Sequence, residues 1–312
     1  MTTIFEVFIA GKSREYARQA ARAAFDEVDR IERLFNRFDP SSEISRINRL
    51  RPGETMMVGI ETVECLAVAA RIQAETTGAF DINFRASVAA AESRSRTRTT
   101  KAPLLRGHES PNLLSVVGLR MVPGGFEIKR HRGRAGKKAL PLDLDLGAVG
   151  KGYALDRAVE VLKDWSVLNA LVHSGTSTAL GIGPGPRSGQ PGWPVGAAAS
   201  RPCPGAPGEV RLLDRALSGS GTEVKGDHII DPRTGNPARS HLAAWASHPS
   251  AAVSDALSTA FLVMGTDEVR RFCRSHPEAW ALVIIPGKKC RIFNANAIAQ
   301  SWRQGDRDEK SA

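Results

Sequence analysis

Residues Thr3–Ile9 alternate between β-forming apolar and polar positions, a period of two that predicts a strand. From Arg14 to Phe35 the period lengthens. Ala17, Ala21, Ala24, Phe25, Val28, Ile31 and Leu34 recur at three- and four-residue steps, the apolar stripe of a helix. The run FDPSSEISRIN turns at Asp39-Pro40 and reopens as a short helix with Ser42 or Ser41 as N-cap. Glu61–Thr77 is a second amphipathic helix, ending at Gly78, whose freedom at positive φ suits a helix terminus.

Beyond an irregular stretch at 86–112, Ser115–Val122 and Gly125–Lys129 read as strands joined through Pro123-Gly124 in a hairpin. Leu140–Leu146 alternates Leu with Asp and predicts a strand. It leads into the turn GAVGKG and a helix over Tyr153–Lys163. Strand signals recur in Ala170–Arg201 around the Pro/Gly-rich loop Gly183–Pro194, and again at Arg211–Ser218 and Asp227–Asp231, the last closing in the turn Pro232–Gly235. Ser254–Met264 is expected to be a helix, and Ala279–Ile285 and Cys290–Phe293 the final strands. Strands and helices mix without a strict βαβ repeat, which predicts an α+β fold with mixed or antiparallel sheets. No internal repeat or long linker marks a boundary. One domain over residues 1–303 is expected, followed by a charged, disordered tail at 304–312.

Composition refines this little: 42% hydrophobic and 24% charged residues are ordinary for a globular chain. No apolar run reaches the roughly 18–20 residues that cross a bilayer. The N-terminus lacks the basic and apolar regions of a signal peptide, and a cytoplasmic location is the expectation. Cys65, Cys203, Cys273 and Cys290 show no CxxC spacing, which argues against structural zinc and for reduced thiols. The net charge of +10 first suggests nucleic acid. Between Arg85 and Lys138, however, 13 Lys and Arg face three Glu, an excess of 10 that equals the whole imbalance. That segment is rich in Ser, Thr, Gly and Pro and poor in aromatics, so it reads as a solvated basic stretch and nucleic acid is not expected as a partner.

The chemistry-bearing signals are individually ambiguous. DLDLGAVGKGYALD places Gly147, Gly150 and Gly152 between a strand and a helix, with Lys151 among them. Such a turn lets backbone amides approach a phosphate at a helix N-terminus, yet it serves equally as a plain tight turn. Its spacing matches neither GxGxxG nor the Walker loop. SDALSTAF puts Asp255 and Thr259 four apart on one helix face, a carboxylate and a hydroxyl suited to Mg²⁺. Ser254 or Asp255 also fits a simple N-cap. His228, before the turn of GDHIIDPRTGNPA, suits either a general base or a hydrogen-bonded structural histidine. Phe80 and Asp81 in GAFDINF fit core and cap.

In order along the chain, TTIFEV, FNRFDPSSEISRIN, TTGAFDINF, DLGAVGKGYALD, GWPVG, HIIDPRTGNPA and SDALSTAFLVMG extend from about residue 2 to 265, most of the chain, and together they resemble the FAD:protein FMN transferase family, the ApbE-like flavin transferases. The resemblance implies a single α+β unit with FAD as substrate and Mg²⁺ as cofactor. It implies that a Thr or Ser hydroxyl of an acceptor flavoprotein attacks the FMN-side phosphorus and AMP leaves. Hydrolysis of FAD to FMN and AMP and non-catalytic flavin binding are the alternatives. Carried over by position, the metal ligands are the Gly150 carbonyl, Asp255 and Thr259, with Ser258 adjoining. Phe38, Ala79, Phe80, Asp81, Gly147, Lys151, Tyr153 and Ile230 match cofactor-contacting positions, and His228 matches the family histidine assigned as base. The chain departs from the family pattern at Gly175-Thr176-Ser177, where Gly-Gly-Asp is usual, and at Gly219-Ser220-Gly221, where Thr-Ser-Gly is usual. The span TEVKGD before His228 is shortened.

Overall fold

The computed structural model describes residues 3–86, 111–133, 138–186, 191–197, 207–221, 229–287 and 289–298. Most of the basic stretch, the TEVKGD span, His228, Cys203 and the tail at 304–312 lie outside the described residues. The helices are α1 (Arg14–Phe35), α2 (Glu43–Asn48), α3 (Ile60–Glu75), α4 (Leu113–Val116), α5 (Gly150–Asp164), α6 (Ala251–Val263) and α7 (Thr266–Ser275). The strands are β1 (Phe5–Ile9), β2 (Thr55–Val58), β3 (Val117–Val122), β4 (Gly125–Arg130), β5 (Ala170–Ser174), β6 (Thr178–Ile182), β7 (Trp193–Gly196), β8 (Glu209–Leu212), β9 (Arg215–Gly221), β10 (Ala243–His248), β11 (Trp280–Ile285) and β12 (Lys289–Phe293).

Seven strands form one sheet in the order β1-β5-β6-β9-β10-β11-β12, antiparallel at every pairing. Smaller sheets run β2-β4-β3 and β7-β8. The alternation along the large sheet feeds two cores. Leu180, Ala216, Ala244, Ala246 and Val283 join the helices α1, α3, α5 and α6 in one. Ala179, Leu217, Leu282 and Ile284 join Val210 and Leu212 of the β7–β8 ribbon in the other. Burial on both faces explains why β10, AAWASH, carries no polar face, and why its sequence shows no half-buried alternation.

Helix α6 is the centre of the helical layer. Twelve of its 13 residues are buried and Thr259 alone is not. A helix whose residues are mostly apolar on every side belongs inside, with its few polar groups hydrogen-bonded. Its start is fixed by two side chains. Ser250 is the N-cap, accepting from the Val253 amide at 3.3 Å. Asp156 of α5 accepts from the amides of Ala251 (2.7 Å) and Ala252 (2.9 Å) and from Ser250 Oγ (2.7 Å). A carboxylate on the free N–H groups of a helix start suits both hydrogen bonding and the helix dipole. Ser254 and Asp255 are therefore not caps: Ser254 Oγ instead donates to the Ala246 carbonyl of β10 at 2.8 Å.

Several boundaries differ from the sequence reading. Leu140–Leu146 is not a strand, although it alternates. Two asparagines replace the missing ladder. Asn48 accepts from the Leu144 amide (2.7 Å) and donates to the Leu144 carbonyl (3.0 Å), and Asn83 does the same for the Asp143 amide (2.8 Å) and the Pro141 carbonyl (3.1 Å). The Asp145 amide completes the set at the Ile82 carbonyl, 2.8 Å away. Side-chain amides satisfy this backbone as a neighbouring strand would. Arg211–Ser218 splits into β8 and β9 at Asp214, which has φ +51° and accepts from the Gly183 amide at 3.1 Å. Of Asp227–Asp231, the described Ile230 forms an isolated bridge to Pro237. Strands β2 and β10 and helix α7 were not anticipated, and the helix expected from Tyr153 begins at Gly150.

Two predictions concern stability. Replacing the fully buried Asn83 by Ala strands the Asp143 amide and the Pro141 carbonyl, and a loss of about 2–3 kcal/mol is expected in urea unfolding. A loss below about 0.5 kcal/mol would show that this segment finds other partners. The second concerns His248, whose Nδ1 accepts from the Ser250 amide at 3.0 Å. Burial, reinforced by Arg215 and Arg71, pushes this imidazole down from 6.5 to about 4. The unfolded chain therefore takes up the proton first. The stability contribution is whole above 6.5 and is lost as pH falls toward 4, by up to about 1.4 kcal/mol per pH unit. His248→Asn keeps an acceptor for the amide and should melt with a shallower pH dependence between pH 6.5 and 5 than the native chain. Parallel profiles would contradict this.

Candidate active site

The glycine-rich turn and α6 meet because nothing separates them at Gly152. A Cβ there would lie 2.1 Å from the Ala251 carbonyl oxygen and 2.8 Å from Ala252 Cα. Only glycine lets the first turn of α5 rest on the first turn of α6. Asp156, one turn further along α5, caps α6 from the same side. The two contacts fix the helices in register and bring Asp255 against the start of α5.

Asp255 is 3% exposed. Its Oδ2 accepts from the Gly152 amide at 3.2 Å and faces Lys151 Nζ at 3.3 Å. Lys151 Nζ also donates to the Gly147 carbonyl. A carboxylate this deeply buried needs a positive partner and donors to be tolerated, and it has both. On its C-terminal side Ser258 Oγ donates to the Asp255 carbonyl (2.8 Å), and Ser220 Oγ of β9 lies 2.8 Å from Ser258 Oγ and 3.3 Å from Thr259 Oγ1. One carboxylate, two backbone elements and three hydroxyls thus share one locus.

Gly147 is tied to the exposed aromatic Phe38. Its amide donates to Asp145 Oδ1 at 3.0 Å, while Asp145 Oδ2 accepts from Arg37 at 3.1 Å and Arg37 also pairs with Asp143 at 2.8 Å. The Arg37 guanidinium lies 5.7 Å from the centre of the Phe38 ring, which is 87% exposed. An exposed ring backed by a fixed cation is a stacking platform for a planar group.

The other residues singled out from the sequence are placed differently. Gly150 is buried at the start of α5, its amide on the Leu146 carbonyl at 2.7 Å. Tyr153 is buried against Phe35, with ring centres 5.6 Å apart, and its hydroxyl donates to Glu64 at 2.6 Å. Burial and Glu64 push that phenol up, so it stays protonated. Ala79, Phe80 and Asp81 are all buried, and Asp81 Oδ1 accepts from the Asn83 amide at 2.7 Å. Ile230 is half-buried, and His228 lies outside the described residues. Sequence reasoning missed Ser220 and Asp156 as parts of this assembly. Ser218 and Ser220 lie on one face of β9, and a polar pair at alternate positions beside a polar turn is the signal that could have marked them.

The locus fits a hard divalent cation. An ammonium already sits between the Gly147 carbonyl and Asp255, so the position tolerates positive charge. Among the described residues no group of three or more His, Cys, Asp or Glu converges. A single carboxylate with neutral oxygens suits Mg²⁺, which completes its shell with water and substrate phosphate, and does not suit an all-protein zinc or calcium cage.

A glycine-rich helix start facing a buried carboxylate in an antiparallel α+β chain brings together groups that could take a phosphate and a cation side by side. The ApbE family model matches residues 1–284, and the chain belongs to the ApbE family. The FAD:protein FMN transferase of Salmonella typhimurium is 24% identical to it over 92% of this chain and 83% of that one. The FAD:protein FMN transferase of Treponema pallidum is 33% identical over 48% of this chain and 46% of its own. The fold matches that of the flavin transferase ApbE from Vibrio cholerae with a TM-score of 0.71 at 20% identity, covering 97% of this chain and 96% of that one. The apbe protein of Thermotoga maritima gives a TM-score of 0.70 at 23% identity, covering 96% and 100%.

The helix contact makes a direct prediction. Gly152→Ala meets backbone atoms, which cannot yield as a side-chain tip can, and should cost about 3 kcal/mol in urea unfolding. At Gly208 an added Cβ meets nothing within 4 Å, so Gly208→Ala should be near neutral. Equal stability of the two variants would contradict the close approach of α5 and α6.

Proposed function

We propose that this chain transfers FMN from FAD to a Thr or Ser hydroxyl of an acceptor protein, releasing AMP. Membership of the ApbE family and the names of its relatives support the reaction. The observation that carries it at the site is the buried Asp255 carboxylate set between Lys151 and the Gly152 amide, with the Thr259 hydroxyl one turn away. The acceptor oxygen forms a bond to the FMN-side phosphorus, the P–O bond to the bridging oxygen breaks, and AMP leaves with that oxygen.

Asp255, Thr259 and the carbonyls of the Gly147–Gly150 turn are the groups that would hold Mg²⁺. When bound, the ion supplies charge neutralisation on the pyrophosphate oxygens. The protein's own residues supply the rest. The N-terminus of α5 turns the positive end of its dipole toward a phosphate, while the Gly150 and Gly152 amides hold the turn and Asp255 in place. Lys151 adds a mobile positive charge beside it. Phe38, held over Arg37, offers a face to one of the planar ring systems of FAD. His228 stands as the group to accept the proton of the acceptor hydroxyl. For phosphoryl transfer, positioning and neutralisation outweigh that proton step.

Incubation with FAD, Mg²⁺ and a Thr-containing acceptor peptide should yield AMP and a peptide heavier by esterified FMN. Asp255→Asn should slow this about 10²–10³-fold, as loss of one preorganised electrostatic group does. Chelation of divalent ions should stop it. AMP appearing at the same rate without peptide would identify hydrolysis of FAD instead, and neither product would exclude both.

A further inference from the structure

A chain of three hydroxyls ends at Thr259, and one of its members has no role in the account above. Each serine or threonine hydroxyl carries one proton to donate and two lone pairs to accept with. Ser258 spends its proton on the Asp255 carbonyl at 2.8 Å. In its 2.8 Å contact with Ser220, Ser258 is therefore the acceptor and Ser220 the donor. With its proton committed, Ser220 can meet Thr259 only as acceptor, so Thr259 is the donor in the 3.3 Å contact. The order runs one way: Thr259 to Ser220 to Ser258 to the Asp255 carbonyl. A threonine inside a helix ordinarily turns its proton back to the carbonyl four residues earlier, which here is Asp255. Ser258 takes that carbonyl, and Ser220 takes the Thr259 proton in its place.

We propose that Ser220 is a positioning residue that fixes the Thr259 hydroxyl with its proton toward β9, leaving its lone pairs for a divalent cation. The inference rests on the reading of this locus as a cation site. A freely turning hydroxyl must give up its rotation to present a lone pair to a cation; one held by Ser220 is already oriented. The burial pattern agrees. Ser258 is fully buried, Ser220 is half-buried, and Thr259 is the one residue of α6 that reaches out of the core. Opposite Ser220 in the sheet stands Ala244, which has no polar group to compete for either hydroxyl. Ser258 thus stands behind the site, where it sets the direction of the relay.

The test uses the full chain and Mn²⁺ as the probe ion, its binding read from the loss of the free-ion electron paramagnetic resonance signal, without FAD or turnover. Ser220→Ala should raise the Mn²⁺ Kd about tenfold, the lower end of the effect of removing a group that orients a metal ligand. Ser220→Cys keeps the volume but replaces the oxygen by a weak acceptor, and should weaken binding as much. Ser220→Thr retains the hydroxyl and should bind like the native chain. In the Thr259→Val background, Ser220→Ala should add no further loss, because the hydroxyl it orients is gone. Native affinity in both the Ala and Cys variants would overturn the proposal, as would a Thr variant as weak as the Ala one. Absence of Mn²⁺ binding by the native chain would instead remove the cation reading and, with it, this inference.

Discussion

The burial of one carboxylate organises this molecule. Asp255 lies within a helix whose other faces are apolar, 3% exposed, where an unpaired charge would cost several kcal/mol. Its tolerance depends on the Gly152 amide at 3.2 Å and on Lys151 at 3.3 Å, both from the first turn of α5. Those partners are in reach because Gly152 has no side chain to hold the helices apart and because Asp156 caps α6. The loop bearing Gly147, the anchor of Arg37 on Asp145 and the placement of Phe38 all follow from that helix start.

The same arrangement divides the acidic residues of the helical layer by task. Asp156 is half-buried and is raised by burial, but three donors hold it, and its role is to fix the start of α6. Glu64 takes the Tyr153 hydroxyl and so secures α5 to α3. Asp255 is held between the Gly152 amide and the Lys151 ammonium. Cys65, buried nearby, is pushed up by burial and by the two aspartates, which keeps it a thiol without nucleophilic character.

Much of the fold was legible because it follows local periodicity. Helix α1 runs over Arg14–Phe35 as its apolar stripe requires, Ser42 caps α2, and the β3–β4 hairpin turns at Pro123-Gly124. What was not legible depended on partners distant in sequence. Leu140–Leu146 has the pattern of a strand, but its backbone is claimed by Asn48 and Asn83, whose position no local pattern reveals. β10 was missed because both its faces are buried and alanine-rich. At the site, the pairing of the Gly147–Gly152 turn with Asp255 came from family resemblance, since each segment alone fits a tight turn or a cap. The capping role then fell to Ser250 and Asp156, which freed Asp255 for the site. Ser220 stood out only as part of a departure from the family pattern, because a serine in a strand reveals no role until its neighbours on the facing helix are known.

On the proposed reading, Asp255 and Thr259 form a cation site beside the start of α5. A crystal structure of the chain grown with FAD and Mn²⁺ tests it most directly, through the anomalous signal of the metal. The expected result is one peak at coordination distance, about 2.2 Å, from an Asp255 carboxylate oxygen and Thr259 Oγ1, with the FAD pyrophosphate at the N-terminal end of α5. A peak bound elsewhere, or a pyrophosphate seated away from that helix start, would contradict it.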